Sequence, residues 1–241
     1  MNEKKRVTYI NWYYLGENGA AVEGLQTIGG KTYYFYPWNY QMACDEVVTD
    51  YDNDETYAFD KDGNMIKNSW VNREYTWSDE DGTEHKEVEW FYIGEDGKAV
   101  KGWKASGNIW YYLDEYDGRM VTDGTRWIND KVYAFDASGA MISNSWYKEM
   151  NTWTDEENVE HTEISWYYLG ASGTAEKGWK ASGNTWYYLD EYDGRMVTDS
   201  TRWIDDKLYA FDASGAMIAN SWYKNIHYSA CLFISDFIQR K

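Results

Sequence analysis

The sequence of 241 residues has little of several components that separate protein classes. It contains two Cys, Cys44 and Cys231, so it has neither a disulfide framework nor zinc spacing, and both are expected to be free thiols. No stretch approaches the ~20 apolar residues that cross a bilayer, so membrane insertion is not expected. Residues 1–6 carry charge without an apolar run behind them, so no signal peptide is visible.

Positive charge is also scarce. The chain has 23 Lys and Arg against 41 Asp and Glu, which gives a formal net charge of −18. Such a surface repels the phosphates of nucleic acid, so a nucleic-acid partner is not expected. The same charge favours solubility and a cationic ligand.

Aliphatic side chains are few, whereas aromatic side chains are many. Leu, Ile, Val and Phe sum to 38 residues, about 16% of the chain, which together with the charge would normally indicate disorder. The 15 Trp, 24 Tyr and 7 Phe contradict disorder, because they make up 19% of the chain. The composition therefore predicts a folded protein that uses rings where others use Leu and Val.

The chain repeats itself at an offset of 76 residues. The segment 102–108 recurs at 178–184, and further Trp and Tyr positions recur at the same offset. Three copies tile the sequence, at residues 12–89, 90–165 and 166–225. Residues 226–241 match no copy, and we expect this tail to cap the end of the repeat. The whole chain, 1–241, is interpreted as a single domain.

Each copy contains three aromatic cores of four residues, and most cores are followed by a turn rich in Asp, Gly and Asn. A short segment that ends in Trp comes next, as at residues 140–146. An aromatic run, a turn and a short run are typical of a β-hairpin. Nine units of about 20–22 residues predict an all-β solenoid of about nine stacked hairpins. The cores are 12–15, 32–35, 56–59, 90–93, 110–113, 132–135, 166–169, 186–189 and 208–211.

The four core positions fall on two faces, because side chains alternate along a strand. Positions 2 and 4 hold Tyr or Phe and Leu, Ile or Phe, which predicts that they form the core. Positions 1 and 3 vary together, since five units have Trp with Tyr and three have a smaller residue with Ala. These two positions are interpreted as a ligand site, which is present in units with Trp and Tyr and lost in units with a smaller residue and Ala. The opposing interpretation is that the rings only pack.

The segment 102–122, Gly-Trp-Lys-x-x-Gly-x-x-Trp-Tyr-Tyr-Leu-Asp followed by Gly-x-Met-x-Thr, resembles the cell-wall-binding repeat. The resemblance covers about residues 10–225. That family includes choline-binding modules of surface proteins, glucan-binding domains of glucosyltransferases and related repeats of clostridial toxins. It implies a left-handed solenoid of β-hairpins. In choline-binding members, the ligand sits between successive hairpins in a box of Trp and Tyr.

The predicted site combines the Trp that ends one hairpin with positions 1 and 3 of the next. The best examples are Trp103 with Trp110 and Tyr112, and their equivalents one copy later. Met residues after the turns are expected to line the edge of the box, because a thioether packs softly against rings and methyl groups. The predicted ligand-binding residues are Trp103, Trp110, Tyr112, Met120, Trp127, Trp146, Trp166, Tyr168, Trp179, Trp186, Tyr188, Met196 and Trp203.

Two insertions, 71–89 and 147–165, are predicted to be acidic hairpin extensions, the first with an Asp-Gly turn. Each insertion separates a Trp from the next aromatic core. The sites at Trp146 and at Trp70 with Trp90 are therefore expected to be weaker, through displacement of the ring.

The first copy departs from the motif. It has Leu25 and Thr32 where the later copies have Trp. A box at that place is expected to be degraded or absent, so the binding capacity should lie mainly in the second and third copies.

No catalytic motif is visible. The sequence has no Gly-x-Ser-x-Gly elbow, HExxH helix or Walker loop, and His85 and His161 occupy equivalent places in the insertions. Residues 60–64 resemble half of a calcium loop, but Met65 and Val71 stand where an EF-hand needs Gly and Glu. No enzyme activity, metal or cofactor is expected.

The leading hypothesis is a non-catalytic module that anchors to a bacterial cell wall by binding choline or phosphocholine of teichoic acid. A quaternary ammonium cannot donate a hydrogen bond and is held by aromatic faces. One alternative is a module that binds a glucan polymer or another carbohydrate, and another is a structural spacer of a larger surface protein. The resemblance implies an extracellular, cell-wall-associated location. A homodimer is left open.

Overall fold

The structure, a computed structural model, describes residues 10–224. Its regular secondary structure in that range consists of sixteen β-strands without a helix. The strands are β1 (Gly24–Ile28), β2 (Lys31–Phe35), β3 (Glu46–Asp50), β4 (Glu55–Phe59), β5 (Ser69–Ser78), β6 (Glu84–Ile93), β7 (Gly102–Ser106), β8 (Ile109–Leu113), β9 (Gly124–Ile128), β10 (Lys131–Phe135), β11 (Ser145–Thr154), β12 (Glu160–Leu169), β13 (Gly178–Ser182), β14 (Thr185–Leu189), β15 (Ser200–Ile204) and β16 (Lys207–Phe211). The predicted cap, 226–241, lies outside the described residues.

Consecutive strands pair into eight two-stranded sheets. Each sheet is a hairpin, so the prediction of an all-β chain of hairpins is confirmed. The first predicted unit is reduced to a bridge between Leu15 and Ala21. Across residues 10–224, no helix is long and apolar enough to cross a membrane.

The segments that pair differ from the predicted ones. The Trp-ending segment pairs with the aromatic core that follows it, so that Trp103 lies opposite Tyr112. The predicted partner, which comes after the Asp/Gly turn, makes an isolated bridge such as that between Leu113 and Met120. The prediction paired each aromatic core with the segment that follows it, whereas the structure pairs the core with the segment that precedes it.

Tight turns explain this pairing. The two residues that connect β1 to β2, Gly29 and Gly30, have positive φ values of 58° and 81°. Such a turn twists in the same sense as the strands on either side of it, and it favours a ladder. In the Asp-Ala-Ser-Gly turn at residues 136–139, only Gly139 has a positive φ, of 81°. That turn redirects the chain without starting a ladder.

The described residues form two compact units. One consists of residues 10–126 and 135–141, and the other of residues 127–134 and 142–224. The first contains β1 to β8 and the second contains β11 to β16. The assignment of the whole chain to one domain stays a prediction.

One backbone hydrogen bond recurs in both units. The carbonyl of core position 1 accepts an N–H from the segment that follows the next hairpin, as Trp90 does from Met120 at 2.8 Å. The bond ties each hairpin to the chain beyond its neighbour and fixes how the two hairpins stack. The other donor and acceptor pairs are Met42 and Trp12, Met65 and Thr32, Ala99 and Thr56, Met141 and Trp110, Ala175 and Val132, Met196 and Trp166, and Met217 and Trp186.

Core position 4 is the most deeply buried position of the repeat. Its side chains are at most 2% exposed in Phe35, Phe59, Ile93, Leu113, Phe135, Leu169, Leu189 and Phe211. The prediction that position 4 forms the core is confirmed for these eight cores, whereas Leu15 of the first core is 60% exposed. Position 2 is less uniform, because Phe91 and Tyr167 are buried whereas Tyr111 and Tyr187 are half-buried.

Two of the hairpins with small residues at positions 1 and 3, β3–β4 and β9–β10, close onto the next hairpin. Val132 and Ala134 are buried and pack against Tyr167 and Leu169 of β12. In the first unit, Ala58 of β4 is buried against β6 in the same way. The small pair therefore fills the space that a Trp and Tyr pair leaves as a cleft. This is the physical reason why the two positions vary together.

The two insertions lengthen hairpins instead of interrupting them. The strands β5, β6, β11 and β12 have 10 residues each, and the added pairs extend the far end of each ladder. Trp70 stays opposite Tyr92, with ring centroids 5.3 Å apart, and Trp146 stays opposite Tyr168 at the same distance. The prediction of hairpin extensions is confirmed, and the predicted displacement of the two Trp rings is wrong.

We expect Leu169→Ala to lower the free energy of unfolding by about 2–5 kcal/mol, because it opens a cavity at a fully buried position. Leu208 is the matched control, since it is 54% exposed and Leu169 is 0% exposed. Leu208→Ala should change the free energy of unfolding by less than about 0.5 kcal/mol. Urea unfolding followed by Trp fluorescence measures both variants. Equal midpoints would contradict the burial of position 4.

Candidate aromatic ligand-binding site

The first unit contains an aromatic cleft between the β5–β6 and β7–β8 hairpins, which we name box A. The rings of Trp70, Trp90 and Tyr111 and the thioether of Met120 line a cavity of about 390 Å³. Trp70 and Tyr111 meet edge-on, with centroids 5.1 Å apart and planes at 62°. Trp90 is 38% exposed, so part of one wall is accessible from solvent.

The second unit contains two clefts of the same composition, each lined by two Trp, one Tyr and one Met. Box B surrounds about 330 Å³ and is lined by Trp146, Trp166, Tyr187 and Met196. Box C surrounds about 350 Å³ and is lined by Trp179, Trp186, Tyr209 and Met217. The Trp and Tyr that meet edge-on are 5.2 Å apart in box B and 4.8 Å apart in box C.

Each box takes its side chains from three consecutive pieces of chain. One hairpin supplies the Trp near the start of its first strand and the Trp at core position 1. The next hairpin supplies the Tyr at core position 2, and the segment beyond it supplies the Met. The backbone bond from Met120 to Trp90, at 2.8 Å, holds the thioether against the ring. A box is complete only where all three pieces are present.

The structure brings core position 2 to the box, whereas the sequence predicts position 3. Tyr111 points back toward the preceding hairpin, where it meets Trp70. Strand alternation separates the two faces of one hairpin, but a stacked hairpin has a neighbour on each face. Both faces therefore contribute to sites or to packing.

Position 3 of the short hairpins is buried. Tyr112 is 6% exposed, and its hydroxyl donates to Glu115 at 2.8 Å. Tyr188 makes the equivalent bond to Glu191 at 2.9 Å. Burial, and then the hydrogen bond to Glu115, raise the pKa of Tyr112 to about 12. This phenol is therefore a neutral donor at physiological pH.

In the long hairpins, the ammonium group of a lysine from the next hairpin lies over the Tyr ring at core position 3. The Nζ atom of Lys180 lies 3.4 Å from the ring centroid of Tyr168, and that of Lys104 lies 3.7 Å from the ring centroid of Tyr92. Lys180 also pairs with Glu176 at 2.8 Å. Tyr168, a predicted site residue, is thus covered by an ammonium group.

Trp103 and Trp110 lie together in the first unit. Their rings meet edge-on at 6.3 Å, the distance that also separates Trp179 and Trp186 of box C. Met141 donates its N–H to the carbonyl of Trp110 at 2.8 Å, as the Met residues of the boxes do. The assignment of Trp103 and Trp110 to a ligand site stays a prediction.

Trp127 and Trp203 lie near the tips of their hairpins. Trp203 is opposite Leu208, one residue pair before the turn, and is 71% exposed. The ring of Trp127 contacts Tyr192, with centroids 5.4 Å apart. The structure brings neither Trp127 nor Trp203 to box A, B or C.

The Tyr at position 2 is a site residue that the sequence did not predict. The available signal was a hydroxyl at a position assigned to the core, in Tyr111, Tyr187 and Tyr209. That signal is ambiguous, because Tyr167 has the same residue type at the same position and is buried. Met217 was missed as well, although it follows its turn in the same way as the predicted Met residues.

Segments of the chain match two repeat families. Residues 22–70 match the choline-binding repeat, and residues 11–21, 101–120 and 177–196 match the putative cell wall binding repeat. The chain carries cell-wall-binding repeats. The segments 101–120 and 177–196 contain the Tyr and Met residues of boxes A and B. These repeats make the chain a binding module of the cell-wall or carbohydrate-binding class.

Curated relatives with similar repeats are glucosyltransferases. The chain is 28% identical over 211 residues to glucosyltransferase-S of Streptococcus mutans, a match that covers 87% of this chain and 13% of the relative. It is 32% identical over 207 residues to glucosyltransferase-S of Streptococcus downei, covering 85% of this chain and 12% of the relative. The match thus spans about an eighth of each of these relatives.

Similar solved structures include the choline-binding domain of CbpL from Streptococcus pneumoniae. It is 25% identical to this chain, with a TM-score of 0.45, and the match covers 88% of this chain and 94% of that chain. Choline binding protein F from Streptococcus pneumoniae is 24% identical, with a TM-score of 0.45, and the match covers 86% and 61% of the two chains.

Several carboxylates at the turns accept hydrogen bonds from groups of their own turn or hairpin. Asp60 accepts the N–H groups of Asp62 and Asn64 at 2.9 and 2.8 Å. His85 and His161 each pair with an Asp of their own hairpin, at 3.0 and 2.6 Å. In the part of the chain that the structure describes, no group of three or more His, Cys, Asp and Glu is placed to hold a metal ion.

The turn glycines of the repeats pack against the Met residues of the boxes. A Cβ atom added to Gly139 would lie 2.6 Å from the sulfur of Met120, and one added to Gly215 would lie 2.6 Å from the sulfur of Met196. Both distances are shorter than a van der Waals contact. The absence of a side chain at each turn therefore leaves the space that the thioether occupies.

We expect Gly139→Ala to displace Met120 and to change the shape of box A. Gly107→Ala is the matched control, because both glycines have positive φ, +81° and +61°, but Gly107 has no atom within 4 Å of an added Cβ. Both variants should lose about 1 kcal/mol of stability to backbone strain, and Gly139→Ala should lose about 1–3 kcal/mol more through overpacking. Thermal unfolding and the Trp emission maximum measure the two effects. Indistinguishable variants would show that Gly139 does not hold Met120.

Proposed function

We propose that the chain is a non-catalytic module that binds choline groups in boxes A, B and C. The observation that carries the proposal is the composition of the clefts. In the described residues, the walls of all three consist of two Trp, one Tyr and one Met, with Ala or Ser beside them in boxes A and B and no charged side chain. A quaternary ammonium cannot donate a hydrogen bond, and it is held by the negative faces of rings.

The lysines beside boxes A and B support this chemistry. The ammonium groups of Lys104 and Lys180 lie 3.7 and 3.4 Å from the ring centroids of Tyr92 and Tyr168, which belong to the preceding long hairpins. The ring surface of these hairpins therefore already attracts a cation in the absence of ligand. The formal net charge of −18 raises the local concentration of cations around the chain.

The size of the boxes predicts weak binding at each site. A ring that faces a quaternary ammonium contributes ~1 kcal/mol or somewhat more, so three rings give a dissociation constant near ~1 mM. A polymer that carries many choline groups can occupy several boxes of one chain. Linked binding of this kind raises the apparent affinity by ~10²–10⁴. Teichoic acid that bears phosphocholine at the bacterial cell wall has this character, and it implies an extracellular location.

Recognition of a glucan is the second candidate, and the likeness to glucosyltransferases favours it. Aromatic rings stack on the apolar faces of sugars as well as on cations. A sugar also needs polar side chains that bond its hydroxyl groups. Boxes B and C offer Ser beside the rings at most, so choline is the better fit to the boxes themselves.

We expect choline to change the Trp fluorescence with a midpoint of ~1 mM. Trp90→Ala should remove about the share of one box from the choline-saturable signal, because Trp90 forms one wall of box A. Trp203→Ala is the control, since Trp203 lies near a hairpin tip and is 71% exposed. Titrations of both variants, at matched thermal stability, measure the effect. The same loss of signal in both would refute the assignment to box A.

Competition distinguishes the two candidate ligands. We expect the chain to bind a choline-bearing resin and to be released by choline at ~10 mM, about ten times the dissociation constant of one site. An α-glucan such as dextran should not release it. Retention on immobilised dextran that choline does not disturb, without retention on the choline resin, would replace choline by glucan as the function.

A further inference from the structure

A second cavity lies beside box A and shares Met120 with it. It has a volume of about 330 Å³, within the range of about 300–1,000 Å³ that is common for small-molecule sites. We name it the side groove. It is lined by Glu87, Val88, Glu89, Asp114, Arg119, Met120, Val121, Thr122 and Arg126. Its walls are largely polar, in contrast to those of box A.

The long hairpin creates the side groove. Trp90 and Tyr92 of β6 accept outward hydrogen bonds from Met120 and Val100 at 2.8 Å. Because outward-facing groups recur every second residue in an antiparallel pair, the N–H and C=O of Val88 also point outward. In hairpins with five-residue strands, the strand begins only one residue before core position 1 and does not reach the position equivalent to Val88. The extension therefore adds one backbone donor and one backbone acceptor next to box A.

Most of the charges in the side groove are paired, and Glu87 instead accepts from the hydroxyl of Tyr75 and the indole N–H of Trp77, each at 2.7 Å. Glu89 accepts from Arg73 at 2.5 Å and from Arg119 at 2.8 Å, and Arg126 pairs with Asp114. Burial of Glu89 acts to raise the pKa of its carboxyl, but the bonds from Arg73 and Arg119 outweigh that effect and hold the pKa below its ordinary value. Neither an anion nor a cation finds an uncompensated partner in these pairs.

Paired carboxylates and guanidinium groups retain spare lone pairs and N–H groups. Together with the hydroxyl of Thr122 and the open edge at Val88, they present donors and acceptors around a space next to an aromatic wall. Such a surface suits neighbouring hydroxyl groups on a neutral ring, which both donate and accept hydrogen bonds.

We propose that the side groove binds a neutral sugar ring of the same polymer whose appended group occupies box A. The proposal rests on the proposed function for the ligand of box A, but the contacts in the groove are independent of those in the box. The second long hairpin has Ser165 at the place of Glu89, and Arg195 there pairs with Glu163 at 3.1 Å. The two long hairpins therefore differ in sugar contacts while their aromatic boxes agree.

Nuclear magnetic resonance of the full chain tests the two sites separately. Isomaltotriose, a neutral probe, should shift the backbone amides of Val88 and Thr122, and choline should shift the indole N–H signals of Trp70 and Trp90. Indole shifts with isomaltotriose, without amide shifts, would overturn the groove and place the sugar in the box. Loss of the choline response alone would refute the proposed function and leave the groove standing.

Two variants examine the contacts of the groove. Val88→Pro removes an outward N–H without removing a ladder bond, and Lys86→Pro, two residues along the same edge, is its control. Val88→Pro should weaken isomaltotriose binding about tenfold, while Lys86→Pro leaves it unchanged and both retain the choline response. Thr122→Val, which keeps the shape of the side chain, should also weaken isomaltotriose binding. The groove is refuted if Thr122→Val and Val88→Pro both bind isomaltotriose as the unaltered chain does.

An extended peptide is the competing occupant of a strand edge. A neutral Ala-Gly hexapeptide serves as its probe. If the peptide shifts the amides of Val88 and Lys86 and isomaltotriose shifts neither Val88 nor Thr122, the groove is a peptide edge and the proposal is overturned. A response to isomaltotriose without a response to the peptide supports it.

Discussion

A single backbone hydrogen bond, from the segment after one hairpin to the carbonyl of core position 1 in the hairpin before it, governs the rest of the structure. It spans 2.7–2.9 Å at each of its eight occurrences in residues 10–224. A two-stranded hairpin alone is at best marginally stable in water. The bond converts a row of such hairpins into a stack in which position 4 is closed from solvent. It also decides which residue stands next to the ring at position 1. That residue is Met in every box and Ala where Thr56 and Val132 close the gap.

Much of this arrangement could be predicted from local pattern. Repetition at 76 residues, alternation along the strands and the turn residues predict the hairpins, the burial of position 4 and the lengthened β5–β6 and β11–β12 ladders. The coupling of positions 1 and 3 could also be seen, although its cause is a contact between hairpins. Apart from that coupling, these features can be read from residues that lie close together in the sequence.

The parts that could not be predicted depend on contacts between hairpins. Tyr111 and Tyr167 have the same residue type at the same core position, yet one lines a box and the other is buried. The difference lies in the preceding hairpin, which has Trp70 and Trp90 in one case and Val132 with Ala134 in the other. Likewise, the choice between two possible partners for each aromatic core depends on the φ angles of the turn. Residue type alone specifies those angles only where Gly or Asn is required.

The assembly of each box from three pieces of chain has a consequence for how such a protein can change in length. Box A takes its lining from residues 70–138, a stretch shorter than the 76-residue offset between copies. Unequal crossing-over between equivalent points of two copies adds or removes one full period. At every junction formed in this way, a hairpin is followed by a hairpin equivalent to the one that followed it before. The number of ligand sites can therefore rise or fall in evolution while the geometry of each site is inherited unchanged.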